Sequence, residues 1–424
     1  MSGNERRSLV PRLRFPEFCD DQSWSFQPLG KLAKRSTRKN ADGEIARVLT
    51  NSAEFGVIDQ RDFFDKDIAN QGNLEGYYIV EEGDYVYNPR ISAAAPVGPV
   101  SKNRIGLGVM SPLYTVFRFN NKQNDFYAYY FKSTHWHQYM RQASSTGARH
   151  DRMSITNDDF MGLPLPVSKP EEQQKIAEFL SSLDDLIMAE TQKLEIIKTH
   201  KKGLMQQLFP CEGETVPRLR FPEFRDDDEW ESDLLGNIFD TTSGGTPSRS
   251  TKEYWDGYIP WLTTSLVNFG TITHADEFIS EAGLKNSAAK IFPRGTVLIA
   301  MYGQGKTRGQ VALLGIEAAT NQACAAILPR KEIDPNFVFL NLASRYEEIR
   351  QLSNSGGQEN LSQGLIRELP FSYPLNPAEQ QKITTCLTSV DNVINAQAQK
   401  IEALISNKNG LTQQLFPLLG EVLA

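Results

Sequence analysis

The sequence predicts an α+β protein: two mixed α/β domains separated by a pair of long antiparallel coiled-coil helices, with an internal pseudo-two-fold repeat. Three observations carry this reading. Glu172-Gln173-Gln174-Lys175-Ile176 returns as Glu379-Gln380-Gln381-Lys382-Ile383, an offset of 379 − 172 = 207. Each copy opens a long periodic stretch that closes on the same words, Gln206-Gln207-Leu208-Phe209-Pro210 and Gln413-Gln414-Leu415-Phe416-Pro417. Upstream, Pro11-Arg12-Leu13-Arg14-Phe15-Pro16-Glu17-Phe18 recurs letter for letter as Pro217-Arg218-Leu219-Arg220-Phe221-Pro222-Glu223-Phe224.

Taken in order, the chain divides into a repeated segment (1–19), a variable domain (20–168), a spacer helix (169–210), a linker with the second repeated segment (211–224), a second variable domain (225–375), and a second spacer helix with the C-terminal segment (376–424). Each repeated segment is followed by an acidic run ending in Trp24 or Trp230, then by Leu29-Gly30 or Leu235-Gly236. The first variable domain offers strand-like segments at 77–80, 84–87 and 114–119; the second offers them at 296–300, 310–314 and 323–328. Both then predict one apolar helix, Phe126 to Arg141 and Phe337 to Arg350, ending in a polar glycine loop. One scaffold thus carries two largely different sequences.

The spacer helices have the sharpest pattern. Ile176, Leu180, Leu183, Ile187, Glu190, Leu194, Ile197, Lys201, Leu204 and Leu208 alternate four- and three-residue spacings, and Ile383 to Leu415 repeats them. That is the seam of a coiled coil rather than the wider stripe of a globular helix. Both seams turn polar at the same two places, Glu190/Gln397 and Lys201/Lys408. Asn376-Pro377-Ala378-Glu379 reads as an N-cap, a first-turn proline and a capping-box glutamate. A helix from Glu171 to Leu208 makes a rod of about 57 Å, and two helices this alike are expected to pack on each other antiparallel.

At 424 residues the chain exceeds one core. No apolar run reaches the ~18 residues of a membrane span, and the first residues lack the hydrophobic stretch of a signal peptide. Cys19, Cys211, Cys324 and Cys386 show no CxxC spacing, which fits free thiols in a reducing cytoplasm rather than zinc or disulfides. The net charge of −7 gives no indication of a polyanion-binding surface over the whole molecule but leaves room for local basic faces.

Catalytic candidates fall away one by one. Ala300-Met301-Tyr302-Gly303-Gln304-Gly305-Lys306-Thr307 fits a relaxed phosphate loop after a strand. Such a loop needs a helix next, whereas Arg308-Gly309-Gln310 leads into another strand-like run. A glycine-rich hairpin presenting Lys306, Thr307 and Arg308 to an anion is the better reading. His135 and His137 are two apart and so face different sides of a helix, without supporting metal ligands. Asn88-Pro89-Arg90 and Asp334-Pro335-Asn336 lack the second proline and the aromatic of an amino-methyltransferase tetrapeptide. Cations cluster at Lys31, Lys34, Arg35, Arg38 and Lys39, and in the hydroxyl-rich loop from Gly244 to Lys252. Such loops suit phosphates, while Asn, Gln and Arg can read base edges.

The duplicated Glu-Gln-Gln-Lys-Ile helices ending in Gln-Gln-Leu-Phe-Pro, the Pro-Arg-Leu-Arg-Phe-Pro-Glu-Phe boxes, Gly244-Gly245-Thr246-Pro247-Ser248 with Tyr254-Trp255 and Ile259-Pro260-Trp261, and Thr320-Asn321-Gln322 together resemble the specificity subunits of type I DNA restriction–modification enzymes. The first variable domain departs from the family's Gly-Gly-Thr-Pro-Ser opening, showing Ser36-Thr37-Arg38-Lys39-Asn40. The resemblance covers nearly the whole chain. It implies a non-catalytic, cytoplasmic subunit whose variable regions are target recognition domains, each reading half of a bipartite double-stranded DNA sequence. The helices would then be a ruler and a dock for two methyltransferase subunits. Those partners would supply S-adenosylmethionine binding, and motor–nuclease subunits would supply ATP- and Mg-dependent cleavage. The candidate DNA-binding residues are Arg38, Lys39, Asn88, Arg90, Lys102, Arg149 and Arg152 in the first domain. In the second they are Thr246, Ser248, Arg249, Lys306, Thr307, Arg308, Asn321, Gln322, Gln358 and Asn360. Two other classes stay open: a coiled-coil scaffold for proteins, and a phosphate-loop ATPase using Lys306.

Overall fold

The structure, a computed structural model, describes residues 9–63, 74–144, 151–211, 213–303, 306–352 and 360–418. The chain forms two compact units, one of Met1–Thr191 with Gln399–Ala424 and one of Gln192–Ala398. The long helices run over Pro170–Leu208 and Pro377–Gln414, so each contributes to both units.

In the first unit, Ile176, Leu180, Leu415 and Phe416 enter one core with Leu183 and Leu411 packed against it. Asp184 bonds Lys408 and Glu190 bonds Lys400, so residue numbers rise on one helix as they fall on the other. In the second unit, Met205 and Leu208 share a core with Ile383 and Leu387, and Lys201 bonds Asp391. The pairing is antiparallel in both. Along each helix the predicted seam positions are all shielded, the polar ones included, and towards the helix ends Met205, Gln380, Thr384 and Thr412 are buried beside them. Each fully buried apolar seam residue, such as Leu180 or Leu387, contributes about 1.5–3 kcal/mol.

Each unit wraps a small antiparallel ribbon and a mixed layer of strands around its aromatic core. In the first unit the ribbon pairs Ser25–Pro28 with Pro164–Val167, and the sheet order is Ala33–Arg35, Thr115–Phe119, Tyr85–Tyr87, Val100–Lys102. In the second the ribbon pairs Glu231–Leu234 with Pro370–Tyr373. Its main sheet runs Thr241–Ser243, Cys324–Ile327, Val297–Ala300, Val311–Leu314, Thr271–Ile272, the last pair parallel. A further four-stranded sheet is centred on Trp255–Leu262 and Ala318–Thr320, and the first unit repeats its order in reduced form. There Leu49–Ser52 pairs antiparallel with Gly56–Asp59, Tyr78–Val80 pairs antiparallel with Gly108–Met110, and a parallel bridge from Val48 to Val109 joins the two pairs.

Two local expectations are corrected. The single helices expected at Phe126–Arg141 and Phe337–Arg350 are each two helices: Asp125–Tyr130 with His137–Ala143, and Pro335–Ser344 with Tyr346–Gln351. At both breaks a serine hydroxyl donates to the carbonyl three residues back, Ser133 to Tyr130 at 2.7 Å and Ser344 to Asn341 at 2.6 Å. That competes with helix continuation. Glu379 is also not a capping-box residue. Asn376 caps the helix alone, accepting from the Ala378 amide, while the Glu379 carboxylate turns inward. It takes two hydrogen bonds from Arg220, at 2.8 Å each, and one from the Trp230 indole at 3.3 Å. Glu172 repeats this with Arg14, at 2.7 and 3.0 Å, and Trp24, at 3.0 Å. These buried ion pairs explain why the boxes and the helix starts are duplicated together. Asp334, by contrast, is an N-cap, accepting from the Asn336 amide.

Candidate nucleic-acid interface

In the second unit, strand Val297–Ala300 and its two neighbours deliver the candidate residues to one end of the main sheet. The strand leaves through Met301, whose amide bonds the Ala323 carbonyl, and Leu361 returns to the Met301 carbonyl. Asn321, Gln322 and Asn360 therefore border the same edge. The turn carrying Lys306, Thr307 and Arg308 closes there, with the amide of Gly309 on the Ala300 carbonyl. Strand Val311–Leu314 follows and pairs antiparallel with Val297–Ala300. No helix begins after Lys306-Thr307, so this is a hairpin and not a phosphate loop.

The Gly244-Gly245 pair is required by close approach. A β-carbon on Gly244 would sit 2.0 Å from the Thr320 carbonyl oxygen, and one on Gly245 would sit 2.3 Å from the Ala288 carbonyl carbon. The loop is thereby pressed onto the strand that ends in Asn321-Gln322. Thr246 donates to the Gln322 amide oxygen at 2.5 Å, and the Trp261 indole donates to the Gly245 carbonyl at 3.0 Å. Asn321 is turned partly inward, its side-chain oxygen taking the Ala323 amide. Ser248 meets Ser250 at 2.8 Å. Arg249 stacks 3.7 Å from the Trp255 ring centroid and forks onto Glu277 at 2.7 and 2.8 Å. That bond raises the Arg249 pKa and lowers that of Glu277. Arg249 is thus held as a rigid member of the loop.

In the first unit the matching strand, Tyr85–Tyr87, runs out into Asn88-Pro89-Arg90. Arg90 forms a backbone bridge with Arg152, flanked by Ile91 bonding Asp151 and Met153 bonding Pro89. The Nε atoms of Arg152 and Arg35 are both buried without a hydrogen-bond partner among the described residues. Arg38 and Lys39 are exposed and run beside strand Tyr78–Val80, with Arg38 facing Glu81 at 3.8 Å.

Two of the candidates are corrected. Asn88 is buried, its amide donating to the Asn51 carbonyl at 2.9 Å and its oxygen accepting from the Arg90 amide at 3.0 Å. It shapes the loop from inside. Lys102 lies at the far end of its strand, opposite Tyr85, and bonds Asp125 at 2.9 Å beside Arg104. Arg149 and Gln358 fall outside the described residues.

The type I restriction modification DNA specificity domain matches residues 57–199 and 227–406, one match per copy of the repeat. The chain belongs to this family. As a member it is a specificity component and not an enzyme. It is 26% identical over 322 residues to the MjaVIII type I specificity subunit of Methanocaldococcus jannaschii, covering 73% of each chain. It is 29% identical over 181 residues to the MjaIX specificity subunit of the same organism; that match spans 42% of this chain and 41% of the relative, under half of its length. A solved chain from a study of complex assembly and conformational transition of the type I restriction–modification system shares the fold. Its TM-score is 0.64 at 15% identity, over 93% of this chain and 97% of that one.

Sequence reasoning missed several residues that border the sheet end in the second unit: Asn268, Phe269, Tyr302, Gln310 and Tyr346. Asn268-Phe269-Gly270 looks like an ordinary turn in sequence. Only the strand lying beside it places it at the hairpin.

Proposed function

We propose that this specificity subunit reads a bipartite double-stranded DNA target, one half with each variable unit, and docks two methyltransferase subunits along its paired helices. The observation that carries the reading is one scaffold built twice with unlike polar sets at the same sheet end. Arginines Arg90 and Arg152 stand there in the first unit; Thr246-Gln322, the Lys306 hairpin and Asn360 stand there in the second. Identical heads would read a repeated half-site, whereas unlike heads read an asymmetric one. Phosphate contacts from Lys306, Arg308, Arg38 and Lys39 would supply affinity, and amide and guanidinium groups would supply selection.

S-adenosylmethionine, ATP and Mg belong, in this proposal, to the methyltransferase and motor–nuclease subunits, and the assembly works in the cytoplasm. Among the described residues no helix is long and apolar enough to cross a membrane, and no group of three or more His, Cys, Asp or Glu residues could hold a metal.

The test is a domain exchange. Residues 225–375 are replaced by the second variable domain of another specificity subunit, and the methylome of cells carrying the chimera and its methyltransferase is sequenced. One half of the methylated motif should change while the other stays. A motif altered in both halves, or in neither, rejects the assignment of one half-site to each unit.

A further inference from the structure

We propose that Phe269 contacts DNA directly, its ring packing as an apolar wedge against a base of the half-site read by the second unit. The proposal rests on the function proposed above and adds a residue to it.

Only two non-glycine residues among those described have positive φ, Asp256 at 57° and Phe269 at 51°. Aspartate tolerates the left-handed region, and Asp256 lies where strand Trp255–Leu262 slips register against Glu277–Ile279. A phenylalanine there is a true outlier, because its β-carbon and ring crowd the following carbonyl. Strain of this kind persists only where surroundings over-determine it, and it concentrates at ligand contacts.

The surroundings do over-determine it. The Phe269 amide donates to the Val311 carbonyl at 2.8 Å, and the next carbonyl, Gly270, takes the Leu313 amide at 3.0 Å. The Gln310 side chain bonds that of Asn268 at 3.3 Å. This rigid corner does not bury the ring: Phe269 keeps 40% of its surface exposed, against 0% for Val311 beside it. Among the described residues its aromatic contact is edge-on to Tyr346, at 5.0 Å. Tyr346 in turn donates to the Lys306 carbonyl at 2.6 Å and carries the Arg350 guanidinium 5.9 Å from its centroid. Tyr302, on the same hairpin, is 41% exposed.

An outward-facing ring on strained, stiff backbone, among cations and amides, has the form of a DNA wedge. Lys306 suits a phosphate, Asn268 and Gln310 suit base edges, and the ring suits a thymine methyl or an opened base step. A packing role would have directed the ring into the core instead.

Phe269→Gly and Phe269→Asn separate the two roles, since both residues accept the left-handed conformation. Each variant is prepared as the full chain in complex with its methyltransferase subunits. The melting temperature should stay level or rise, while affinity for the cognate duplex falls about ten-fold or more and affinity for random duplex is unchanged. Uracil in place of thymine then tells a methyl contact (the loss is reproduced in the unaltered protein) from base-step insertion (DNA bending falls in the variants). Cognate affinity within about two-fold of the unaltered protein, or a lowered melting temperature in both variants, overturns the proposal. Failure of the unaltered complex to select any sequence would be seen before the variants are made, and would reject the parent reading itself.

Discussion

The ammonium of Lys201 lies 2.6 Å from a carboxylate oxygen of Asp391. Its repeat mate, Lys408, reaches Asp184 in the same way, and both pairs are related by the offset of 207. A charge pair in an apolar seam contributes little net stability against a hydrophobic replacement, but it penalises every register that would leave one partner alone. These pairs therefore select the antiparallel register. Removing one partner, as in Lys201→Met, should cost about 1–3 kcal/mol, between the values for exposed and buried pairs. Replacing both partners with apolar residues should recover most of that loss in a urea-denaturation double-mutant cycle. A pair whose single and double variants lose the same amount would carry no coupling.

Burial pushes the Asp184 carboxyl up, but the hydrogen bond from Lys408 and the charge of Lys132 outweigh it, so its pKa lies below the ordinary range. The sign follows: its stabilisation is complete above the unfolded pKa of about 3.9 and disappears as pH falls through the lower folded value. Lys408→Met should weaken this acid-limb dependence, leaving the part that Lys132 supplies.

The Glu379 anchor predicts a larger effect. Arg220 and Glu379 have side chains only 7% and 1% exposed, so Glu379→Ala strands a buried guanidinium. The expected cost is about 3–5 kcal/mol. Trp230→Phe removes one hydrogen bond and should cost about 1 kcal/mol. Glu172→Ala should match Glu379→Ala, because Arg14 and Trp24 build the same site. Thermal unfolding of the three variants measures the ranking.

These anchors mark where sequence legibility ended. The seam was readable because a heptad needs only local periodicity, and both Lys201 and Lys408 stand in it as charged exceptions. The partners Asp184 and Asp391 sit one position off the seam and became visible only when the second helix was laid against the first. Glu379 was misread for a related reason: its place in the first turn fits a cap, and Arg220, 159 residues earlier, has no local signal. Among the candidates, Asn88 and Lys102 carry the right chemistry at the wrong depth or the wrong end of a strand. Type and loop context cannot reveal that. The hairpin around Lys306 was legible because the residues after it read as another strand, which Val311–Leu314 is, and a strand there excludes the helix of a phosphate loop.

Lys306 and Lys102 make a matched contrast. Lys306 is exposed on the hairpin, whereas Lys102 has an 11% exposed side chain bound to Asp125. Lys306→Ala should lower the slope of log affinity against log salt by about one, the signature of one lost phosphate contact. Lys102→Ala should leave that slope alone and lower the melting temperature, since Asp125 loses a partner that helps hold its pKa down against burial. Filter binding across a salt series, with the methyltransferase subunits present, reads the first; calorimetry reads the second.

His135 gives the pH dependence its sign in the first unit. Its side chain is buried, with Nδ1 lacking a hydrogen-bond partner among the described residues. Burial lowers its pKa to about 4, with the charges of Arg12 and His137 acting in the same direction. The unfolded chain therefore takes up this proton first, near pH 6.5. Stability is complete above that value and falls as pH drops toward 4, by no more than about 1.4 kcal/mol per pH unit. His135→Phe removes the titration while keeping an aromatic ring in the same space. Its melting temperature should equal or exceed that of the unaltered protein at pH 4.5, and the gap between them should shrink by pH 7.5. Parallel curves across this range would show that His135 has the same pKa in the folded and the unfolded chain.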